Sequence, residues 1–206
     1  LYAPLYLSSY CVNHCAYCGF RYPNPIPRRH LTLEQALKEV EVLTGRGFRH
    51  VLLVAGDFPQ RTTTEYFAEA RRALSARGLA CAVEIAPQTT LSYAAMVSAG
   101  ARGVTLYQET YDEELYAGYH PRGSKVAFDW RLEGLERAAE AGAGRLGLGV
   151  LLGLADPRRE HAAQAVPQDK HFGRVYLGRL AQERHSGQRI VYAFVFDREI
   201  AAQRGQ

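Results

Sequence analysis

A chain of 206 residues with 47% hydrophobic and 22% charged side chains fits one sizeable soluble domain, and its composition is unlike that of disordered, collagen-like or membrane-embedded chains. The formal net charge of +4 comes from Lys and Arg scattered among Asp and Glu, so no basic block points to a nucleic-acid partner. No apolar run approaches a membrane span and the N-terminus carries no signal-peptide pattern, which makes the cytoplasm the expected compartment and leaves no membrane partner.

The chain starts at Leu1 and enters the apolar run Leu5-Tyr6-Leu7 directly, as a segment of a longer polypeptide would. Behind this first strand come Cys11, Cys15 and Cys18, then a Pro-rich stretch from Pro23 to Pro27. Thr32-x-x-Gln35 is a capping-box pattern that opens a helix carrying Leu33, Leu37, Val40 and Leu43, with Gly45 and Gly47 at its end. Val51-Leu52-Leu53-Val54 is apolar on consecutive positions, as a strand buried on both faces of a parallel sheet would be, and it ends at Gly56-Asp57.

The unit then repeats. A helix with Phe67, Ala70 and Leu74 precedes a strand near Cys81–Ile85, and a short helix from Leu91 to Ala99 precedes a strand at Val104–Tyr107. One longer helix with Phe128, Leu132, Leu135 and Ala139 on a single face leads to a fifth strand around Leu146–Leu152. Five strands alternating with four helices predict an α/β fold, a doubly wound sheet or a (β/α) barrel, and both place chemistry at the carboxyl ends of the strands.

Four cysteines, three of them within eight residues, are too few and too clustered for a secreted disulfide framework, whereas metal ligation explains the clustering. In Cys11-Val12-Asn13-His14-Cys15-Ala16-Tyr17-Cys18 three thiolates on one loop can each take a different iron of a [4Fe–4S] cube, leaving the fourth iron open. An open iron suits chelation by the amino and carboxylate groups of S-adenosylmethionine (SAM), after which one electron cleaves a carbon–sulfur bond to give a deoxyadenosyl radical. The competing interpretation is a structural Cys3His zinc site using His14 or His30, although structural zinc ligands usually come as two separated pairs. Cys81, alone among Ala80, Ala82 and Val83, reads as a small buried hydrophobe.

The flanking strings Pro4-Leu5-Tyr6-Leu7-Ser8-x-Tyr10-Cys11 and Cys18-Gly19-Phe20-Arg21 resemble the tyrosine-lyase branch of radical SAM enzymes, which includes the 2-iminoacetate synthases of thiamine thiazole formation. Leu52-Leu53-Val54-Ala55-Gly56-Asp57, Tyr107-Gln108-Glu109-Thr110-Tyr111, His120-Pro121-x-Gly123 and Phe128-x-Trp130-Arg131-Leu132 extend the resemblance, which runs with the glycine-rich fifth strand to about residue 157. It implies a (β/α) barrel of TIM type with a [4Fe–4S] cluster on Cys11, Cys15 and Cys18. It also implies SAM held by Gly56 and Asp57 at its amino group, by Glu109 at its ribose and by Arg131 at its carboxylate. The family more often has Gly-Glu where Gly56-Asp57 stands, and Asp57 also reads as a solvated turn acid and Arg131 as an exposed surface charge. Tyr17 and Phe20 are placed to meet adenine, and Gly147 and Gly149 to admit the cofactor to the fifth strand; ordinary core packing is the alternative for each. Tyr107, Tyr111, Tyr116 and Tyr119 are expected to pack the barrel wall.

Residues 1–158 are thus expected to form an incomplete radical SAM core and 159–206 a divergent tail too short to close an eight-stranded barrel, with one strand at 189–195. The implied reaction begins with hydrogen abstraction from L-tyrosine and ends in dehydroglycine and p-cresol. A thiazole synthase and a flavodoxin or ferredoxin-type reductant are the implied partners. No cysteine follows Cys81, which disfavours the branch that needs a second cluster near its C-terminus. Two alternatives stand beside this: a lyase for another aromatic amino acid, and a non-catalytic iron–sulfur remnant. No residue is assigned as a catalytic base.

Overall fold

Strand β1 (Ala3–Ser8) alternates buried Ala3, Leu5 and Leu7 with exposed Pro4 and Tyr6, because helices cover one face of the sheet and the other is its open inner face. Strands β2 (His50–Ala55), β3 (Ala80–Glu84), β4 (Gly103–Thr105) and β5 (Arg145–Gly149) follow, hydrogen-bonded in chain order and all parallel. Helices α1 (Leu33–Gly45), α2 (Thr64–Ser75) and α3 (Thr90–Ser98) cross between the first four strands. Helices α4 (Glu113–Tyr119), α5 (Phe128–Leu132) and α6 (Gly134–Glu140) lie between β4 and β5. The computed structural model describes residues 2–155 and the backbone of 193–197, and its architecture is a partial (β/α) barrel.

The register sorts the side chains into two rows. Leu5, Leu53, Val83, Val104 and Leu146 are mutual neighbours across five strands and face the helices, where Val40, Phe67, Leu74, Tyr93 and Met96 cover them. One residue further along, Tyr6, Val54, Glu84, Thr105 and Gly147 form the corresponding row on the inner face. Cys81 is 2% exposed within the first of these layers, where burial pushes its thiol up to about 11, so it packs as the small hydrophobe expected.

The expected capping box forms as Gln35 N–H donates to Thr32 Oγ1 at 3.2 Å and Thr32 N–H donates to Gln35 Oε1 at 2.9 Å. Thr63, Thr89 and Asp112 cap α2, α3 and α4 in the same way, each side chain accepting from a first-turn N–H. The one long helix expected from Phe128 to Ala139 is instead two, α5 and α6, separated at Glu133. There a Cβ on Gly134 would meet Leu106 Cδ2, so the Leu106 side chain would have to shift to admit it.

Helix α4 and a 3₁₀ turn at Ser124–Val126 were not foreseen. β4 stops at Thr105 rather than Tyr107, and β5 at Gly149 rather than Leu152; beyond these ends Leu106 N–H still donates to the Gly147 carbonyl at 2.8 Å, and Glu109 (φ 73°) forms an isolated parallel bridge with Val150. Of the strand expected at 189–195, the described part is β6 (Ala193–Asp197), antiparallel to β5. The rest of that tail, and the boundary at residue 158, lie outside the described residues. Among the described residues no helix is long and apolar enough to cross a membrane.

Leu53 is 0% exposed at the centre of the outer row, whereas Leu91 is 84% exposed. Leu53→Ala should cost about 2–5 kcal/mol in urea denaturation, and Leu91→Ala less than about 0.5 kcal/mol.

Candidate functional site

The three clustered cysteines occupy an irregular loop beyond the carboxyl end of β1, with Cys15 buried, Cys11 and Cys18 half-buried, and all three thiols free. A loop without internal ladders must find outside partners for its backbone, and this one has them on three sides. Val12 N–H donates to Asp57 O at 2.8 Å, His14 N–H to Arg122 O at 3.0 Å, and Ala16 N–H to Tyr119 O at 3.0 Å. The Arg28 guanidinium reaches back from beyond the Pro-rich stretch to the carbonyls of Ser9 (2.6 Å), Phe20 (2.7 Å) and Arg21 (2.8 Å). Gly56 closes the loop from beneath: a Cβ there would overlap the Tyr10 carbonyl and lie 3.1 Å from Cys11 Cβ.

Within the loop, Asn13 is the cross-brace. Its Nδ2 donates to Asp57 Oδ2 at 3.1 Å, and its Oδ1 accepts from the Lys125 N–H at 2.8 Å and from the Ser124 hydroxyl at 3.2 Å. The Ser124 hydroxyl also lies within hydrogen-bond reach of Asp57 Oδ2. Both histidines of the zinc alternative pack on tyrosine rings: His14 stacks on Tyr22 at 5.6 Å, and His30 lies against Tyr66 at 4.6 Å. Among the described residues no three His, Cys, Asp or Glu side chains converge on a position for a single ion.

Beside the loop, at the carboxyl ends of β2 and β3, opens a cavity of about 410 Å³ whose wall includes Gly56, Asp57, Gln88, Lys125, Trp130 and Arg131. That volume falls in the range of small-ligand sites, roughly 300–1,000 Å³. Arg131 is half-buried and not a free surface charge, its Nε donating to the Tyr107 carbonyl at 2.8 Å. Phe20 sets its ring edge-on to Tyr6 at 5.9 Å, and Gly149 is buried on β5.

Glu109 and Tyr17 meet at Lys125, which the sequence had not singled out. The Lys125 ammonium donates to Glu109 Oε1 and to the Tyr17 hydroxyl, both at 2.8 Å, with the Lys and Glu side chains only 9% and 14% exposed. The Tyr17 hydroxyl is 2.7 Å from His120 Nε2, and His120 Nδ1 is 2.8 Å from the Tyr116 carbonyl. Burial, with Lys125 nearby, holds His120 down at about 3, so the imidazole is neutral. Its one proton goes to the Tyr116 carbonyl, Nε2 therefore accepts from the Tyr17 hydroxyl, and the phenol oxygen is left to accept from Lys125. Burial pushes Tyr17 upward, and the charge of Glu109 adds to it, so the phenol keeps its proton.

Glu84 is the other residue that sequence reasoning missed. It lies on the inner face at the end of β3, where burial raises it from 4.5 to about 7 and Glu109 adds to the rise, against Arg131 and Lys125. A period-two count from buried Cys81 and Val83 would have turned it toward the inner face. For Lys125 and His120 the available signal was the string His120-Pro121-x-Gly123 just ahead of the lysine.

Comparison with known proteins gives consistent matches. The model of the radical SAM superfamily matches residues 5–165. The 2-iminoacetate synthase of Escherichia coli is 40% identical over 155 residues, 75% of this chain and 41% of its own. The FeFe-hydrogenase maturase HydG from Carboxydothermus hydrogenoformans superposes with a TM-score of 0.75 at 38% identity, covering 79% of this chain and 39% of its own. The 3-methylornithine synthase of Methanosarcina barkeri is 33% identical over 120 residues, 54% of this chain and 33% of its own. The chain thus spans about two fifths of the length of the 2-iminoacetate synthases it matches.

Two outcomes follow from the geometry. Gly56→Ala should push the Tyr10 carbonyl and the Cys11 backbone out of place, so that iron and sulfide reconstitution yields markedly less bound iron per chain than the parent; equal iron content would show that the loop tolerates the methyl group. Because Glu84 holds its proton more tightly folded than unfolded, stability should fall as pH rises from about 4.5 through about 7. Urea denaturation of parent and Glu84→Gln at pH 5 and pH 8 should show a smaller loss in the variant, and equal losses would contradict the assignment.

Proposed function

The chain belongs to the radical SAM superfamily, whose enzymes use a [4Fe–4S] cluster and SAM, and from that membership we propose that it is a radical carbon–carbon lyase acting on L-tyrosine. One observation carries the reading: a braced loop of three free thiols lies at the carboxyl ends of the strands, beside a small-molecule cavity that Asp57 and Arg131 help to line. The choice of tyrosine rests on the likeness to 2-iminoacetate synthases.

The donor set fits the cofactors. In this reading Cys11, Cys15 and Cys18 hold the cluster by their thiolates, and the cluster and SAM, when bound, supply reductive cleavage to a 5′-deoxyadenosyl radical. Gly56 and the carboxylate of Asp57 would hold the SAM ammonium, and the Arg131 guanidinium, steadied on the Tyr107 carbonyl, would hold its carboxylate. Glu109, held on Lys125 through Oε1, would accept from the ribose hydroxyls. Phe20 and the loop around Tyr17 border adenine, and Gly149 leaves room beside β5. L-tyrosine is split into p-cresol and dehydroglycine, the latter for use by a thiazole synthase, with a flavodoxin or ferredoxin-type protein as electron donor in the cytoplasm.

Reconstituted anaerobically and reduced with dithionite, the chain should release 5′-deoxyadenosine from SAM faster with L-tyrosine than without it, and Cys15→Ala should release none. An intact cluster with no SAM cleavage would sink the lyase reading and leave an iron–sulfur protein without turnover. Stimulation by L-tryptophan instead of L-tyrosine would reassign the substrate.

A further inference from the structure

Lys125 stands out among the buried groups because two independent constraints deliver it to one place. Its own N–H is fixed on Asn13 Oδ1 at 2.8 Å, and its carbonyl accepts from the Tyr116 hydroxyl at 2.7 Å. The backbone of a residue in a 3₁₀ turn is thereby pinned to the cysteine loop on one side and to α4 on the other. Its ammonium is then directed inward, between the carboxylate of Glu109 and the hydroxyl of Tyr17, the residue that precedes Cys18 by one position.

A buried ammonium is retained only where its partners are fixed, and here the partner is itself held in an unfavourable backbone conformation. Glu109 is the one non-glycine residue at positive φ among the described residues, at 73°. A non-glycine residue in that region persists only when its surroundings over-determine it, and the ion pair supplies that determination. The pair also lies against the cysteine loop: Asn13 and Tyr17, which Lys125 touches through its N–H and its ammonium at 2.8 Å each, both stand between Cys11 and Cys18.

We propose that Lys125 is a positioning residue for both cofactors, fixing the Glu109 carboxylate toward the SAM ribose and setting a positive charge beside the cluster thiolates that makes the cluster easier to reduce. This rests on the cofactor assignment made above. A cluster gains negative charge on reduction, so a nearby cation favours the reduced state and a nearby anion opposes it; net charge and hydrogen bonding around the sulfurs are among the terms that set cluster potentials. Glu109 and Lys125 have opposite signs, so removing one should move the potential against the direction produced by removing the other. A residue that merely packed the loop would give no such pair of opposite shifts. The remaining charges nearby, Arg131 and Glu84, are present in every variant compared.

The test is a redox titration of the reconstituted cluster without SAM, monitored by electron paramagnetic resonance, on the parent chain, Lys125→Met, Lys125→Arg and Glu109→Gln. The midpoint potential should become more negative in Lys125→Met, more positive in Glu109→Gln, and stay near the parent value in Lys125→Arg. SAM affinity, measured by equilibrium binding, should fall about tenfold in Lys125→Met, the scale expected for one charge-assisted hydrogen bond. Potentials that move in the same direction in Lys125→Met and Glu109→Gln, or that do not move, overturn the electrostatic role, and unchanged SAM affinity overturns the positioning role. If Lys125→Met takes up no cluster, Glu109→Gln decides, and an unmoved or lowered potential there overturns the proposal. A parent chain that binds no cluster removes the cofactor assignment itself, and this inference falls with it.

Discussion

The side-chain amide of Asn13, only 5% exposed, has its donor on Asp57 and its acceptor on the Lys125 N–H and the Ser124 hydroxyl. These contacts join three segments far apart in sequence: the cysteine loop, the end of β2 and the turn that follows α4. A buried amide left without partners is costly, so the arrangement is satisfied only when all three segments are in place. The loop that carries the thiols thus acquires a single conformation without any regular secondary structure of its own, and the placement of Lys125 and Asp57 follows from the same contacts.

Below this brace the sheet does two jobs with alternate residues. The outer row, from Leu5 to Leu146, is apolar throughout and supplies the burial that stabilises the fold. The inner row of Tyr6, Val54, Glu84, Thr105 and Gly147 narrows toward β5, where a Cβ on Gly147 would meet Thr105 Oγ1 at 2.6 Å. Small residues at that side leave room, and the charged ones gather just beyond the strand ends. The carboxylates of Glu84, at the end of β3, and Glu109 feel the opposite charges of Lys125 and Arg131, two residues that also line the cavity, so opposite signs offset one another there.

Much of this was legible in the sequence. The capping box at Thr32, the five parallel strands and the cysteine loop announce themselves through local spacing, which is where residue-level rules are strongest. Helix α4 escaped because Glu113–Tyr119 is short and carries Gly118 near its end, although Asp112 followed by Glu113 and Glu114 is a fair helix-start signal. The break between α5 and α6 at Glu133 has no signal in the apolar spacing, which runs on from Phe128 through Leu132 and Leu135 to Ala139. The string His120-Pro121-x-Gly123 marked the neighbourhood of Lys125 and His120 but gave neither a role, because their partner Tyr17 is more than a hundred positions away and only the fold brings it to them.

Glu109 shows how a family pattern and physical reasoning divide the work. Resemblance alone named it as a polar contact to a nucleoside, but gave no cause for its being fixed in one orientation. The cause lies in the chain's own geometry: a left-handed backbone at the end of β4, its carbonyl accepting from Leu151 N–H at 2.8 Å, and a carboxylate oxygen held by a buried ammonium. A strained residue with its charge already neutralised loses little freedom when a ligand arrives, so the cost of ordering it is met on folding and not on binding. The same logic extends to Tyr17 and His120, whose protons are each committed to a named acceptor. Tyr17 itself stands between Cys15 and Cys18, so the groups that order Glu109 are joined directly to the loop of thiols.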